Sequence, residues 1–128
     1  MRTYFDSSVV MDSLLNPGSR KFPAFIERSQ MFTSKLTQVE VLRNITRIDP
    51  SLITSAAELL TTLQFIEIDD QIISHASFYP ERISLRALDA IHMASAEQVL
   101  DVDDLLITYD KQMARNADLL GIKVFTSF

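Results

Sequence analysis

Apolar and polar positions follow two rhythms along this chain, and the switches between them outline its architecture. Short apolar runs predict strands at Arg2 to Phe5, Met31 to Thr33, Gln64 to Ile68, Leu105 to Thr108 and Ile122 to Phe125. Between them, longer stretches with apolar residues at three- and four-residue spacing predict helices. These cover Val9 to Leu15, Phe22 to Ser29, Thr37 to Arg47, Leu52 to Leu63, Asp70 to Phe78, Leu85 to Leu100 and Lys111 to Leu120. Val39, Leu42 and Ile45 are spaced for burial on the third helix, and Leu88, Ile91 and Ser95/Val99 on the sixth. Ser7-Ser8 and Ser84 stand where helix caps are expected, and Gly121 where a helix ends. Asn16-Pro17-Gly18-Ser19 reads as a turn, Asp49-Pro50-Ser51 as a break and Tyr79-Pro80-Glu81-Arg82 as a loop. Strands alternating with helices predict an α/β fold, a three-layer α/β/α sandwich around a short parallel sheet.

At 128 residues, with 47% apolar content, the chain is expected to form a single domain over 1–128. No apolar run approaches the roughly 20 residues that span a bilayer, so no membrane is involved. Asp6 sits where a signal peptide needs its apolar centre, and cysteine is absent, so a cytoplasmic location is expected. A net charge of −5 argues against a protein that coats nucleic acid nonspecifically. Only 2 glycines occur, which excludes Gly-rich phosphate loops.

Four acids change this picture. Asp6 follows the first strand; Glu40 lies in Thr37-Gln38-Val39-Glu40; Asp89 lies in Leu88-Asp89-Ala90; Asp110 follows the most apolar strand. Each also has a plain structural reading. Asp6 and Asp110 suit helix N-caps, Thr37-x-x-Glu40 matches a capping box, and Asp89 can face solvent on a helix edge. Asp89 is the hardest to read that way, because an unpaired carboxylate among apolar neighbours costs several kcal/mol when buried. Carboxylates similarly placed in successive βα units converge at one edge of a parallel sheet. Converging anions need a cation, and oxygen ligands call for Mg²⁺ or Mn²⁺. The set predicts a metal-dependent phosphodiester enzyme with Asp6, Glu40, Asp89 and Asp110 as catalytic and metal-ligating residues.

In order and spacing, Asp6-Ser7-Ser8, Thr37-x-x-Glu40, Leu85-Arg86-Ala87-Leu88-Asp89-Ala90-Ile91-His92-Met93-Ala94 and Thr108-Tyr109-Asp110 resemble the motifs of PIN-domain proteins, over essentially the whole chain. In size the chain is similar to the VapC-type toxin ribonucleases of toxin–antitoxin pairs. The resemblance implies a Mg²⁺-dependent endoribonuclease (Mn²⁺ serving as well), an RNA substrate, a cognate antitoxin and a homodimer. It gives Asp6 and Asp89 direct metal contacts and Asp110 a direct or water-mediated one. Glu40 becomes a ligand or water-orienting group, with Thr108 and Ser8 as hydrogen-bond partners. Where some relatives carry a further acid beyond the fourth position, Lys111, Gln112 and Met113 follow Asp110 here, which implies fewer direct protein contacts to metal.

Other readings compete. A receiver-like phosphoacceptor needs an acidic pair after its first strand, where Ser7 and Ser8 stand; Ser8 likewise breaks the Asp-x-Asp of haloacid-dehalogenase-type phosphatases. A catalytically silent PIN-fold binding module is expected to have lost acids that this chain keeps. His92 reads as a packed or capping histidine, or as a catalytic one; His75 shows no constellation. Arg43 and Arg47 share the helix face of Glu40 and are either RNA contacts or solvated surface, as are Arg86, Lys111 and Arg115. Leu14, Leu15, Phe22, Phe25, Ile26, Ile45 and Ile48 are expected to form an apolar groove for a partner helix, whose extended segment would present Arg or Lys to the carboxylates. Mutual packing of these residues, or a homodimer contact, is the alternative.

Overall fold

The fold comes from a computed structural model that describes residues 1–18 and 22–126. Strands β1 (Arg2–Phe5), β2 (Gln30–Ser34), β3 (Gln64–Ile66), β4 (Leu105–Ile107) and β5 (Val124–Phe125) form one sheet in the order β3-β2-β1-β4-β5, every pairing parallel. The helices are α1 (Ser7–Leu15), α2 (Ala24–Glu27), α3 (Lys35–Ile48), α4 (Ile53–Leu60), α5 (Asp70–Ser77), α6 (Ala87–Val99) and α7 (Lys111–Leu119). Among the described residues no helix is long and apolar enough to cross a membrane.

The two-residue period of the strands divides the core between the faces of the sheet. Phe5 and Ile107 pack with Val9, Val10, Ile26, Val41, Ile45 and Leu60 of α1 to α4. Their neighbours Tyr4 and Leu106 point the other way, to Met93 and Ala96 of α6 and Met113 and Ala117 of α7. Helices on both faces give the expected three layers.

Several boundaries differ from the predicted ones. The second helix shrinks to four residues, and a 3-10 turn at Pro50–Leu52 takes the start predicted for α4. Helix α3 begins before Thr37, because the Ser34 hydroxyl caps it by accepting from the Leu36 N–H at 3.1 Å. Thr37 is therefore internal and buried, whereas Val39 is 58% exposed. Helix α6 starts at Ala87 rather than Leu85, and Ser84 does not cap it. Its buried residues are Ala90, His92, Met93, Ala94, Ser95 and Ala96, while Leu88 is 51% exposed. The small residues Ala90, Ala94, Ser95 and Ala96 share this inner face with the larger His92 and Met93. Ser7 and Ser8 lie inside α1 and do not cap it. Gly18 takes φ 77° in the turn after α1, whose Ser19 lies outside the described residues. Gly121 takes φ 76° after α7, where the Ile122 N–H reaches the Ala117 carbonyl at 2.9 Å and ends the helix as expected.

Candidate active site

The chain leaves β1 toward β2 on one side and returns to β4 on the other. The carboxyl ends of β1 and β4 therefore face a switch point, where open α/β sheets form their crevices. Asp6 follows β1 and Asp110 follows β4 at this edge. Asp6 occupies the N-cap position of α1, yet its side chain makes no cap bond. Its Oδ2 instead accepts from the Thr108 hydroxyl at 2.8 Å and the Ser8 hydroxyl at 3.2 Å. Thr108 also accepts from the Asp110 N–H at 3.1 Å, and Ser8 from the Tyr109 N–H at 3.3 Å. The ends of β1 and β4 are thus stitched together through an acid that is only 4% exposed. Both predicted hydroxyl partners of Asp6 are present.

Asp110 does cap its helix, with Oδ1 accepting from the N–H groups of Gln112 at 2.8 Å and Met113 at 3.1 Å. Capping and site placement coexist, because capping occupies one oxygen. Asp89 lies in the first turn of α6. The loop leading there is pinned by α7: the buried Asn116 accepts from the Ser84 N–H at 2.9 Å, and Gln112 donates to the Ser84 carbonyl. The helix that begins at Asp110 thereby also sets where Asp89 arrives.

Glu40 lies in the second turn of α3, which removes the capping-box reading. The first turn is tied to β1: Thr33 donates to the Phe5 carbonyl at 2.7 Å and lies 2.6 Å from the Thr37 hydroxyl. Glu40 Oε1 then meets His92 Nε2 at 2.6 Å, and His92 Nδ1 meets the Tyr4 hydroxyl at 2.7 Å. His92 is buried, in keeping with its packed reading, and it is also bonded to one of the four acids. Tyr4 was visible in the sequence only as a strand residue; the signal available was that a buried tyrosine hydroxyl needs a partner. His75, expected to stand alone, pairs with Glu97 at 3.1 Å and lies against the Tyr79 ring.

Burial raises the Asp89 carboxyl, and the charges of Asp110, Asp6 and Glu40 raise it further against the lowering field of His92. Asp89 therefore feels the other three acids. Burial, then the charge of Asp6, also pushes the Tyr4 hydroxyl well above its ordinary value, so it keeps its proton. Burial alone would lower the His92 imidazole; the bond to Glu40 and the fields of Asp6, Glu40 and Asp89 leave it raised.

Among the described residues no three acidic or histidine side chains form a closed ligand set. The donor chemistry nonetheless suits a hard divalent cation: every donor is a carboxylate oxygen, and the charges of Asp110, Asp6 and Glu40 raise Asp89 against the lowering field of His92. Arg43 and Arg47 lie on exposed turns of α3 beyond Glu40, and Arg47 is held at 2.9 Å by the side-chain oxygen of Asn44.

The predicted docking residues divide. Leu14, Ile26 and Ile45 belong to the core, while Leu15, Phe25 and Ile48 are exposed. Phe22 and Ile26 do line an apolar groove of about 190 Å³, together with Phe5, Val9, Val10 and Leu63. Burial on the sheet takes the residues whose α1 and α3 positions face it, which apolarity alone does not distinguish.

The PIN domain model matches residues 3–119 of this α/β sandwich, and the chain belongs to that family. It is 39% identical over 94 residues to Ribonuclease VapC35 of Mycobacterium tuberculosis, covering 72% of this chain and 69% of that protein. Ribonuclease VapC46 of the same organism is 31% identical over 125 residues, 94% of each chain. Two solved structures share the fold. A toxin–antitoxin complex from Klebsiella pneumoniae superposes with a TM-score of 0.73 at 23% identity, covering 98% of each chain. VapBC2 of Rickettsia felis, bound to a DNA fragment from its promoter, superposes at 0.72 and 12% identity over the whole of both chains.

Proposed function

We propose that this chain is a divalent-cation-dependent endoribonuclease and the toxin of a VapBC-type pair. The observation that supports the reading is that Thr108 ties Asp6 to the turn of Asp110 at the switch point, with Asp89 in the first turn of α6 near enough to feel both charges. The VapC ribonucleases among its relatives support the activity, and the toxin–antitoxin complexes that share its fold support the partner.

Asp6 and Asp89 would hold the cation directly, Asp110 directly or through water. When bound, Mg²⁺ or Mn²⁺ supplies charge neutralisation at the scissile phosphate and makes a water more acidic. The chain's own groups do the positioning. Thr108 and Ser8 keep Asp6 from rotating, and α7 fixes Asp110 through one oxygen; Glu40 would be a further ligand of the cation or orient the attacking water. In-line attack would join the water oxygen to phosphorus as one P–O ester bond breaks, leaving a phosphate monoester on one RNA fragment and, once the leaving oxygen takes a proton from solvent, a hydroxyl on the other. Purified protein should cut single-stranded RNA in Mg²⁺ or Mn²⁺ and fall silent in EDTA; full cleavage in chelator would sink the reading.

The antitoxin would seat an amphipathic helix in the groove bounded by Val9, Val10, Phe22 and Leu63. Phe25, exposed on α2 beside Ile26, offers a rim substitution that spares the core. Phe25→Asp should weaken capture of the antitoxin encoded beside this chain, and capture at wild-type affinity by folded protein would reassign the surface.

A further inference from the structure

We propose that His92 is the positioning residue for Glu40: held by Tyr4 at Nδ1, it donates from Nε2 to Glu40 Oε1 and thereby sets which carboxylate oxygen the site draws on. The proposal deepens the nuclease reading above and rests on it.

The direction of the bond follows from chemistry. An ionised carboxylate only accepts, so Nε2 carries the proton whatever the state of Nδ1. The charge-assisted contact is short, 2.6 Å, and lies next to a core in which Tyr4 is fully buried and His92 is 1% exposed. Among the described residues His92 is the one hydrogen-bond partner of the Glu40 carboxylate. Glu40 has one more rotatable side-chain bond than an aspartate, so losing that partner frees its head group. Tyr4 closes the other side of the imidazole at 2.7 Å, with the rings edge to face. The chain of bonds thus runs from the centre of the sheet in β1, through α6, to α3. His92 lies three residues after Asp89, one helical turn away, so α6 carries one acid of the site and the holder of another.

A purely structural His92 would fill the core and satisfy the Tyr4 hydroxyl, and two variants separate that role from positioning. An asparagine amide reaches about as far as Nδ1, and a glutamine amide about as far as Nε2. His92→Asn thus keeps the Tyr4 contact and loses Glu40, whereas His92→Gln keeps Glu40 and loses Tyr4. The test compares Mn²⁺-supported cleavage of single-stranded RNA, as kcat and KM, with Mn²⁺ affinity measured by electron paramagnetic resonance on the RNA-free protein. His92→Asn should lose roughly 10–100-fold in kcat and bind Mn²⁺ more weakly, with KM for RNA unchanged. His92→Gln should stay within several-fold of wild type on both readouts. In a Glu40→Gln background, His92→Asn should add no further loss.

Equal impairment of the two variants at equal folded fraction, or additive losses with Glu40→Gln, overturns the proposal. Should His92→Asn fail to fold, Tyr4→Phe removes the support from the far side. It should lower kcat and Mn²⁺ affinity several-fold without moving KM, and unchanged values overturn the proposal. Wild-type protein that cuts no RNA in Mn²⁺ defeats the nuclease reading alone, because the Mn²⁺ affinities of the variants still decide whether His92 acts through Glu40.

Discussion

The two ends of the sheet treat an aspartate in opposite ways. At the amino end, Asp104 is 8% exposed and its two oxygens accept the Arg2 N–H at 2.8 Å and the Asp101 N–H at 2.9 Å. Burial pushes its carboxyl up, but those two backbone donors and the Arg2 charge outweigh burial and leave it below the usual range. At the carboxyl end, Asp89 is raised by burial and then by Asp110 and Asp6. One acid has been given partners that favour its charge; the other has been given neighbours that oppose it. An opposed charge such as that of Asp89 is one a bound cation would relieve, whereas the chain itself already satisfies Asp104.

That contrast is sharpest on neutralisation. Asp89→Asn should reduce RNA cleavage by at least ~100-fold, as loss of a group acting on developing charge does. In EDTA its Tm should equal or exceed that of wild type, because a repelled charge is gone. A fall of many degrees in chelator would make Asp89 a structural acid like Asp104 and erase the distinction. Asp104→Asn should do the reverse. It leaves one buried backbone donor poorly met, costing roughly 1–3 kcal/mol, or several degrees in Tm, while cleavage per folded molecule stays at the wild-type rate. Equal melting of the variant and wild type would remove Asp104 from the fold's supports.

A smaller effect appears with acid. The folded Asp104 carboxyl lies below its unfolded value, so its stabilisation is complete above that value, about 3.9, and is lost as pH falls through the folded one. Wild-type protein should lose stability between pH 5 and pH 3 more steeply than Asp104→Asn, as urea midpoints would show. Parallel slopes in the two proteins would contradict the assignment.

The same contrast bears on how far sequence alone could be read. β1 and β4 announce themselves by short apolar runs, and the acids that end them stand out because each interrupts a pattern. Asp89 was legible for the same reason, as a charge amid alanine, leucine and isoleucine. Glu40 was less so, because Thr37 mimics a capping box that the Ser34 cap, three residues earlier, displaces. On α6, Ser95 is buried and Val99 packs on the core as their spacing suggests, but Leu88 points outward and Ala90, Ala94 and Ala96 take much of the inner face. The Tyr4–His92–Glu40 chain left no local trace, since its bonds join residues 88 and 52 positions apart. The same holds for Ser84 and Asn116, 32 apart, which aim the Asp89 turn. Ligand identity is written into single residues, whereas ligand orientation is written into pairs that only the sheet order brings together.

The central claim, that the carboxyl-end acids form a cation site and the amino-end acid does not, is tested most directly by Mn²⁺ titration of thermal stability in wild type, Asp89→Asn and Asp104→Asn. A cation that binds only the folded chain adds about 2.7 kcal/mol at 100 times its Kd. Wild type and Asp104→Asn should therefore gain Tm in parallel, each from its own starting point, while Asp89→Asn gains little or nothing. Equal Mn²⁺-induced gains in Asp89→Asn and wild type would contradict the account.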